Sequence, residues 1–288
     1  MNRFIMLAGI PGSGKTEYAK NLNQEEDFAV CSSDKLRKLL YKDINDQDHN
    51  DEVFRILHEM IIDAPKRGVN VVYDACNINS KRRRAFMNQI KDIPCVKECH
   101  ILAVPYDMAL YQNTNRERSI PQEVIDRMYR NWQTPGEWEG FDRIELIQNV
   151  PGAEYDISKF DNYDQNNPHH KYRLGDHMRK VAEYVKEHTD DHIIYEAALR
   201  HDSGKPFCEF KDEEGISHFY GHEGVGAWDA LTDWSLDDEE CLRVSQLIAY
   251  HMRPMGWKDG RTRDKYKKLW GQEFFDQIML LHEADKAN

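Results

Sequence analysis

A glycine-rich turn near the start of the chain restricts its fold more than any other feature. The segment GIPGSGKT at residues 9–16 fits the pattern GxxxxGK[ST] and follows a short apolar run, Arg3–Ala8. Its glycines let the backbone curl so that successive N–H groups and the N-terminus of the next helix face one anion. This order predicts a strand, a phosphate-binding loop and a helix.

The residues of this loop have expected roles toward a nucleoside triphosphate. Lys15 is expected to reach the β- and γ-phosphates and to act in catalysis, and Thr16 is expected to ligate Mg²⁺. The other nucleotide-binding positions are Gly9, Gly12, Ser13 and Gly14. These residues indicate an enzyme that uses a nucleoside triphosphate, and they leave the acceptor of the phosphoryl group open.

Strand and helix patterns alternate over the first 150 residues. The predicted strands are Arg3–Ala8, Phe28–Ser32, Val69–Asp74 and Lys97–Val104. The predicted helices cover about residues 15–22, 33–41, 51–67, 80–90 and 121–132. Such alternation is typical of a parallel sheet with helices on both faces.

The pattern changes near residue 150. Residues 151–168 contain proline, glycine and the polar run DNYDQNNP, which predict a linker. Beyond it we find helical patterns only, at about residues 175–188, 193–201, 222–231, 237–251 and 272–285. We therefore predict an α/β domain at 1–150, a linker at 151–168 and an all-α domain at 169–288.

Charge and histidine are unevenly distributed. The net charge of −12 argues against a protein held to nucleic acid by its overall charge. Residues 1–150 carry 21 basic and 23 acidic side chains, and the remainder carries 18 and 28. Ten of the 13 histidines lie in this acidic remainder, which raises the prospect of a His/Asp metal site. The sequence shows neither a secretory signal nor a membrane-spanning apolar run, so we expect a cytoplasmic location.

Several residues of the first domain bear on the phosphoryl acceptor. Asp34 follows the second strand and can act as general base on a hydroxyl, although the same position also suits a helix-capping acid. Arg37, one helical turn later, can hold a phosphate of the acceptor, and Asp74 can act on Mg²⁺ through water. Asn77 and Arg82 are further candidates for binding substrate, although the basic run at 81–84 also suits a solvated helix face. Arg116 and Arg118 are candidates for a lid that stabilises charge on the transferred phosphoryl group.

Residues 1–150 resemble the 5'-hydroxyl polynucleotide kinase branch of the P-loop kinases. The matching pieces are GIPGSGKT, the Asp34-x-x-Arg37 pair, VVYDACNINSKRRR and NRERSIPQEVIDRMY. The resemblance implies ATP with Mg²⁺, Asp34 as general base, Arg37 beside the acceptor 5'-hydroxyl, and lid arginines on ATP. The lid of that family commonly carries Arg-Asn-x-x-Arg. Here Gln112 replaces the first arginine, and Arg116 keeps the second.

The second domain contains imidazoles and carboxylates on or near the ends of five separate predicted helices. They are His177, His201, Asp202, His222, His251 and Asp285. Inward-facing side chains of these types assemble metal sites in helical bundles. Mixed nitrogen and oxygen donors suit Mn, Fe, Zn, Co or Ni. Any one of these histidines taken alone can equally be structural or exposed.

The order of these residues, with HDSGK at 201–205, resembles the HD phosphohydrolase superfamily over about residues 165–288. The matching pieces are NPHHKYRLGDH, LRHDSGKP and HFYGHEGVGA. The resemblance implies one metal on His177, His201, Asp202 and Asp285, and a second on Asp202, His222 and His251, with a one-metal site still open. It makes Asp202 and Lys205 catalytic, with Lys205 facing the substrate phosphate. Positioning or structural roles are expected for His169, His170 and His218, and a weaker phosphate contact for Arg253.

The two resemblances together imply an enzyme that heals nucleic-acid ends. It would phosphorylate 5'-hydroxyl ends and remove 3'-phosphate or 2',3'-cyclic phosphate. Its partners would be RNA or DNA ends and a separate ligase, without a membrane. Two other interpretations stay open: a small-molecule or nucleoside kinase fused to a nucleotidase or phosphodiesterase, and a nucleotide-controlled sensor with a degenerate hydrolase site.

Overall fold

A computed structural model describes residues 2–116, 118–148, 150, 152–168 and 170–288. The chain divides into two compact units. The first comprises Met1–Ile125 and Pro135–Val150, and the second comprises Asp126–Thr134 and Pro151–Asn288. Among the described residues, no helix combines the length and the apolar character that crossing a membrane requires.

The first unit is built on a parallel sheet in the order β2-β3-β1-β4-β5. Its strands are β1 (Arg3–Ala8), β2 (Phe28–Ser32), β3 (Asn70–Asp74), β4 (Val96–Ala103) and β5 (Arg143–Gln148). The first four were predicted to within one residue at each end. The sequence pattern missed β5, because this edge strand is only partly buried and its charged residues weaken the apolar signal.

Six α-helices lie among the described residues of 1–150, and the last of them continues into the second unit. They are α1 (Lys15–Glu25), α2 (Ser33–Tyr41), α3 (Asn50–Lys66), α4 (Ser80–Ile90), α5 (Tyr106–Thr114) and α6 (Gln122–Arg130). Helix α5 was not predicted from the sequence. A buried cluster of Ile5, Leu7, Ala19, Phe28, Val72 and Leu102 joins α1 to the sheet. The predicted parallel α/β architecture of this unit is confirmed.

The sheet brings three functional segments to one edge. Strands β1, β2 and β3 are parallel neighbours, and Ser32 at the end of β2 pairs in register with Asp74 at the end of β3. The loop after β1, the start of α2 and Asp74 therefore share the carboxyl edge of the sheet. Ligands of open parallel sheets bind at this edge.

The second unit is mainly helical. Its helices are α7 (Leu174–His188), α8 (His192–Arg200), α9 (Lys205–Cys208), α10 (His222–Ala230), α11 (Asp238–Tyr250), α12 (Gly260–Trp270) and α13 (Gln272–Ala287). The expectation of helices alone was wrong in one detail, because β6 (Phe210–Lys211) and β7 (Ser217–His218) form a short antiparallel hairpin. The sequence analysis also missed α12, whose many charged residues obscure its periodicity.

Residues 126–134 belong to the second unit, which differs from the predicted boundary at residue 150. The Trp132 ring lies edge-on to Trp228, with ring centroids 4.8 Å apart. The hydroxyl groups of Thr134 and Ser245 are hydrogen-bonded at 2.7 Å. The expected linker also packs here, because the Tyr155 hydroxyl donates to the carbonyl of Leu199 at 2.6 Å.

A buried ion pair in the first unit provides a stability test. Arg83 donates to both carboxylate oxygens of Glu139, at 2.7 and 2.8 Å, and both side chains are 0% exposed. Replacing Glu139 with alanine leaves a buried guanidinium without its counter-charge, so we expect a loss of about 3–5 kcal/mol in the free energy of unfolding.

The matched control is Glu59→Ala, which removes the partner of Arg55 from a pair whose side chains are 64% and 60% exposed. We expect this change to cost less than about 1 kcal/mol. Urea unfolding of both variants beside the wild type measures the difference. Equal losses in the two variants would contradict the role assigned to burial.

Candidate functional site

The loop of residues 9–16 has the backbone geometry that anion binding requires. Gly12 and Gly14 have φ values of 86° and 88°, in the left-handed region that favours glycine. A Cβ atom on Gly12 would lie 2.1 Å from the carbonyl oxygen of Ala109, so only glycine fits there. The loop leads directly into α1, and the N-terminus of a helix favours a bound anion.

Lys15 and Thr16 are held by the loop and by β3. The Lys15 ammonium is buried and donates to the carbonyl oxygens of Gly9 and Ile10 at 3.0 and 2.8 Å. The Thr16 hydroxyl donates to Asp74 Oδ2 at 3.1 Å. Burial raises the pKa of Asp74, while Lys15 and Thr16 act in the opposite direction. The pairing of a loop hydroxyl with a strand-end carboxylate fits the arrangement expected around Mg²⁺.

Asp34 lies in the first turn of α2 between two guanidinium groups. Arg37 Nη1 and Arg118 Nη1 both contact Asp34 Oδ1, at 2.9 and 2.5 Å. Arg37 is 5% exposed, and its Nη2 donates to Asn50 Oδ1 at 2.6 Å. Burial lowers the pKa of the Arg37 guanidinium, and its buried Nε has no hydrogen-bond partner among the described residues. The structure thus joins three of the predicted residues.

Among the described residues, the other predicted side chains of this unit form no ion pair with this group. The Asn77 side chain donates to the carbonyl of Leu7 at 2.7 Å, which holds the turn after β3. Arg82 and Arg116 are exposed. Asn113 closes the segment that carries Arg118, because its amide donates to the carbonyl of Ile120 and its oxygen accepts from the N–H of the same residue.

In the second unit, six predicted residues converge from separate elements. His177 lies on α7, His222 begins α10, and Asp285 lies on α13. His201 and Asp202 follow α8, and His251 follows α11. Their potential ligand atoms form two groups, each within 4.8 Å, which share Asp202: His177, His201, Asp202 and Asp285, and Asp202, His222 and His251.

Three of these imidazoles are oriented by the same local hydrogen bond. The Nδ1 atoms of His201, His222 and His251 each lie 2.7–2.8 Å from the carbonyl oxygen three residues earlier. Donation of the Nδ1 proton to this carbonyl leaves a lone pair on Nε2. Each of these three rings therefore directs its Nε2 atom into the cluster.

The distances inside the cluster suit a bound cation. Asp202 Oδ2 lies 3.3 Å from the Nε2 atoms of both His177 and His201, and Asp202 Oδ1 lies 3.1 Å from His222 Nε2. His222 Nε2 and His251 Nε2 are only 3.3 Å apart. Two lone pairs at this distance repel each other unless a proton or a metal ion lies between the groups. The buried Nε2 of His201 makes no hydrogen bond of good geometry with the described residues.

The pKa values of the cluster residues also indicate that the cluster favours a positive charge at its centre. Burial lowers the pKa of His251 to about 3, so this ring is neutral. Burial also opposes the charge on His201, but Asp202 and Asp285 outweigh it and raise the pKa of His201 to about 10. Burial disfavours the charge of Asp202, yet His201 and Lys205 hold its pKa well below the ordinary value.

Lys205 adjoins the cluster through Asp202. Its buried ammonium lies 2.6 Å from Asp202 Oδ2 and donates to Gln165 Oε1 at 2.7 Å. Gln165 is 1% exposed and was missed by the sequence analysis, because it lies in the segment predicted as a linker. Gly204 lets the backbone before α9 lie close to the start of α10. A Cβ atom on Gly204 would be 2.3 Å from the carbonyl oxygen of His222.

The remaining predicted histidines are placed around this cluster. His170 is half-buried, with its ring centroid 6.3 Å from that of His177, and burial lowers its pKa to about 4. His218 pairs with Asp212 in the β6–β7 hairpin, at 2.8 Å. His169 lies outside the described residues. Arg253 begins a short helical turn two residues after His251 and is half-buried.

One further cluster was not predicted from the sequence. Glu98 and His100 of β4 and Glu145 of β5 have ligand atoms within 4.8 Å of one another in the first unit. Arg3 donates to both oxygens of Glu98, at 2.8 and 3.0 Å, and Tyr18 bonds to His100 Nδ1 at 2.8 Å. These contacts account for the cluster as an ion-pair and hydrogen-bond network.

Comparisons with known proteins bear on the first unit. The family model described as an AAA domain matches residues 4–135. An L-seryl-tRNA(Sec) kinase from Methanococcus maripaludis is 26% identical over 137 residues, which cover 46% of this chain and 53% of that protein. The chain thus spans about half the length of this curated relative.

Two solved structures are also similar to part of the chain. One is from the Pnkp1/Rnl/Hen1 RNA repair complex, with 17% identity, a TM-score of 0.41, and coverage of 45% of this chain and 43% of that one. The other is a gluconokinase from Sinorhizobium meliloti 1021, with 14% identity, a TM-score of 0.38, and coverage of 52% and 84%.

The family match, the loop motif and the parallel sheet agree with one another. The match ends at residue 135, before most of the second unit. The N-terminal part of the chain is therefore a P-loop kinase-like α/β domain, for which ATP and Mg²⁺ are the implied cofactors.

Proposed function

We propose that this chain is a bifunctional enzyme that heals nucleic-acid ends. Its first unit would transfer the γ-phosphoryl group of ATP to a 5'-hydroxyl end. Its second unit would be an HD-type phosphohydrolase that removes a 3'-phosphate or a 2',3'-cyclic phosphate. The products, a 5'-phosphate and a 3'-hydroxyl, are the ends that a separate ligase joins.

The position of Asp34 supports the kinase proposal. It lies at the carboxyl edge of the sheet, as do Lys15 and Thr16. Both of its guanidinium contacts use Oδ1, and we assign Oδ2 to accept the proton of the attacking hydroxyl. Arg37, with a buried and unsatisfied Nε, would bind a phosphate of the acceptor strand. Lys15, Arg116 and Arg118 would stabilise charge on the transferred group.

The orientation of His201, His222 and His251 supports the hydrolase proposal. Their buried Nε2 atoms and the carboxylates of Asp202 and Asp285 form a mixed nitrogen and oxygen donor set, which fits Mn, Fe, Co, Ni or Zn. When bound, such a metal would lower the pKa of a water molecule and polarise a phosphoryl oxygen. Asp202 would join the two ligand groups, and Lys205 would bind the substrate phosphate.

A second candidate is a kinase that acts on a different hydroxyl group. The relative from Methanococcus maripaludis is named as a kinase of L-seryl-tRNA(Sec), and a seryl group carries a side-chain hydroxyl. This name supports a hydroxyl acceptor and does not require a 5'-end. A nucleoside kinase fused to a nucleotidase is a variant of this candidate.

Labelled ATP distinguishes the acceptors. We expect the full chain with Mg²⁺ to transfer label from γ-labelled ATP to a 5'-hydroxyl oligonucleotide, because Arg37 supplies a site for a phosphate of the strand. A 5'-phosphorylated oligonucleotide of the same sequence is the control. Label on free nucleosides or on seryl-tRNA, with none on the oligonucleotide, would overturn the proposed acceptor.

Single substitutions test whether the two sites act separately. We expect Lys15→Ala or Asp34→Ala to reduce kinase turnover by at least about 100-fold, because each removes a charge that acts on the transferred group or its acceptor. Hydrolysis of a 3'-phosphate should be unchanged in both. Asp202→Ala should have the reverse effect. Loss of both activities from any one of these changes would contradict separate sites.

Metal binding tests the second site without any turnover. We expect the full chain to bind Mn²⁺ in isothermal titration calorimetry and Asp202→Asn to weaken that binding by at least about 100-fold, because Asp202 belongs to both ligand groups. The matched control is His218→Asn, which removes an imidazole that pairs with Asp212 outside the cluster. Equal Mn²⁺ affinity in the wild type and in Asp202→Asn would contradict the assignment of Asp202 as a metal ligand.

A further inference from the structure

The second unit carries a dense basic segment that its overall charge conceals. Residues 151–288 contain 18 basic and 28 acidic side chains, but residues 253–268 contain seven basic and two acidic ones. Most of this segment is α12 (Gly260–Trp270). One of the two acids, Asp259, is committed as the N-cap of that helix, where its carboxylate accepts from the N–H of Thr262 at 2.9 Å.

Three basic residues form a row on one face of α12. Arg261, Lys265 and Lys268 follow the spacing i, i+4 and i+7, which places them on one face over about 10 Å. All three are exposed. Like charges at this spacing destabilise a helix. Among the described residues, none of the three forms an ion pair with a carboxylate. Asp264 lies beside the row on the same helix, so the row keeps a net positive charge of two, and none of its cations is held in an ion pair within the described residues.

Other positions of α12 attach it to the protein. The Tyr266 ring stacks on Trp257 at 5.5 Å, and Trp270 is buried. The guanidinium of Arg263 and the ammonium of Lys267 lie over the ring of Phe275. The aromatic residues that would insert into a membrane from an amphipathic helix are thus used within the fold, which disfavours a lipid surface as the binding partner.

The same packing ties α12 to the histidine and carboxylate cluster. Tyr250 directly precedes His251, and its ring centroid lies 5.7 Å from that of Trp270. Phe274 at the start of α13, the helix that carries Asp285, packs against both Tyr250 and Trp270. One layer of aromatic side chains therefore connects the helix that bears the basic row to two of the elements that build the cluster.

We propose that Arg261, Lys265 and Lys268 bind the phosphate backbone of a nucleic-acid single strand whose 3'-end enters the cluster. This inference rests on the proposed hydrolase function and specifies its substrate class as a strand rather than a mononucleotide. A row of exposed cations that form no ion pair within the described protein matches a chain of phosphates. Neutralisation of phosphates by the row releases counterions, so binding becomes salt-dependent.

The direct test is binding of a short single-stranded RNA by fluorescence anisotropy. The RNA carries phosphate at both ends, so that its 5'-end is no acceptor for the kinase site. The variant Arg261→Gln/Lys265→Gln/Lys268→Gln should lose about 100-fold in affinity at about 0.1 M salt, since each lost phosphate contact changes the salt slope by about 0.7. The slope of log K against log salt should fall by about 2.

The matched control removes three charges elsewhere, in Lys91→Gln/Lys159→Gln/Lys186→Gln, whose lysines are exposed. It should bind the RNA as the wild type does. Circular dichroism and thermal unfolding establish that both triple variants are folded. Equal RNA affinity and salt slope in the wild type and the α12 variant would overturn the inference. So would a loss confined to binding of anionic lipid vesicles.

Turnover separates this inference from the hydrolase proposal. The α12 variant should lose kcat/KM on a 3'-phosphorylated strand and keep it on a nucleoside 3'-phosphate, because the small substrate does not reach the row. Full activity of the variant on both substrates overturns the inference and leaves the hydrolase proposal standing. A wild type that binds RNA through the row but hydrolyses neither substrate supports the inference and overturns the hydrolase proposal.

Discussion

The second unit depends on the interactions of one buried carboxylate, that of Asp202. It is 3% exposed and is surrounded by His177, His201, His222 and Lys205. A buried charge is tolerated only when opposite charges or strong hydrogen bonds offset its lost hydration. Because these partners come from different elements, the energetic need of one carboxylate fixes how α7, α8, α9 and α10 meet.

Much of the fold was predictable because its local signals agree with its tertiary structure. The loop at 9–16 needs glycine, a strand before it and a helix after it, and all three are visible in sequence. The same holds for HDSGK at 201–205, where a hydrogen bond from Nδ1 to the carbonyl oxygen of Ala198 sets the orientation of the His201 ring. Strand β5 and helix α12 escaped prediction because charged and polar residues interrupt their apolar positions, so their burial depends on neighbours distant in sequence.

The candidate sites were less predictable than the folds that carry them. Residue types alone suggested that Asn77 binds substrate, and they did not reveal that its amide donates to the carbonyl of Leu7. Arg83 belongs to the basic run at 81–84, yet it is buried against Glu139. Conversely, Gln165 gave no sequence signal, because an amide beside Lys205 is recognisable only once the chain has folded. The sequence shows the charge of a basic side chain, but only the folded structure shows whether that side chain is exposed to solvent.

The membership of residues 126–134 in the second unit determines how the protein can be divided. A chain cut at residue 150 would separate Trp132 from Trp228 and Thr134 from Ser245, although these pairs form the interior of one unit. The N-terminal piece would expose the side chains of Trp132 and Thr134, and the C-terminal piece would keep a cavity in their place. The second unit thus includes a segment that lies in sequence between the two segments of the first, so no single cut of the chain separates the units cleanly.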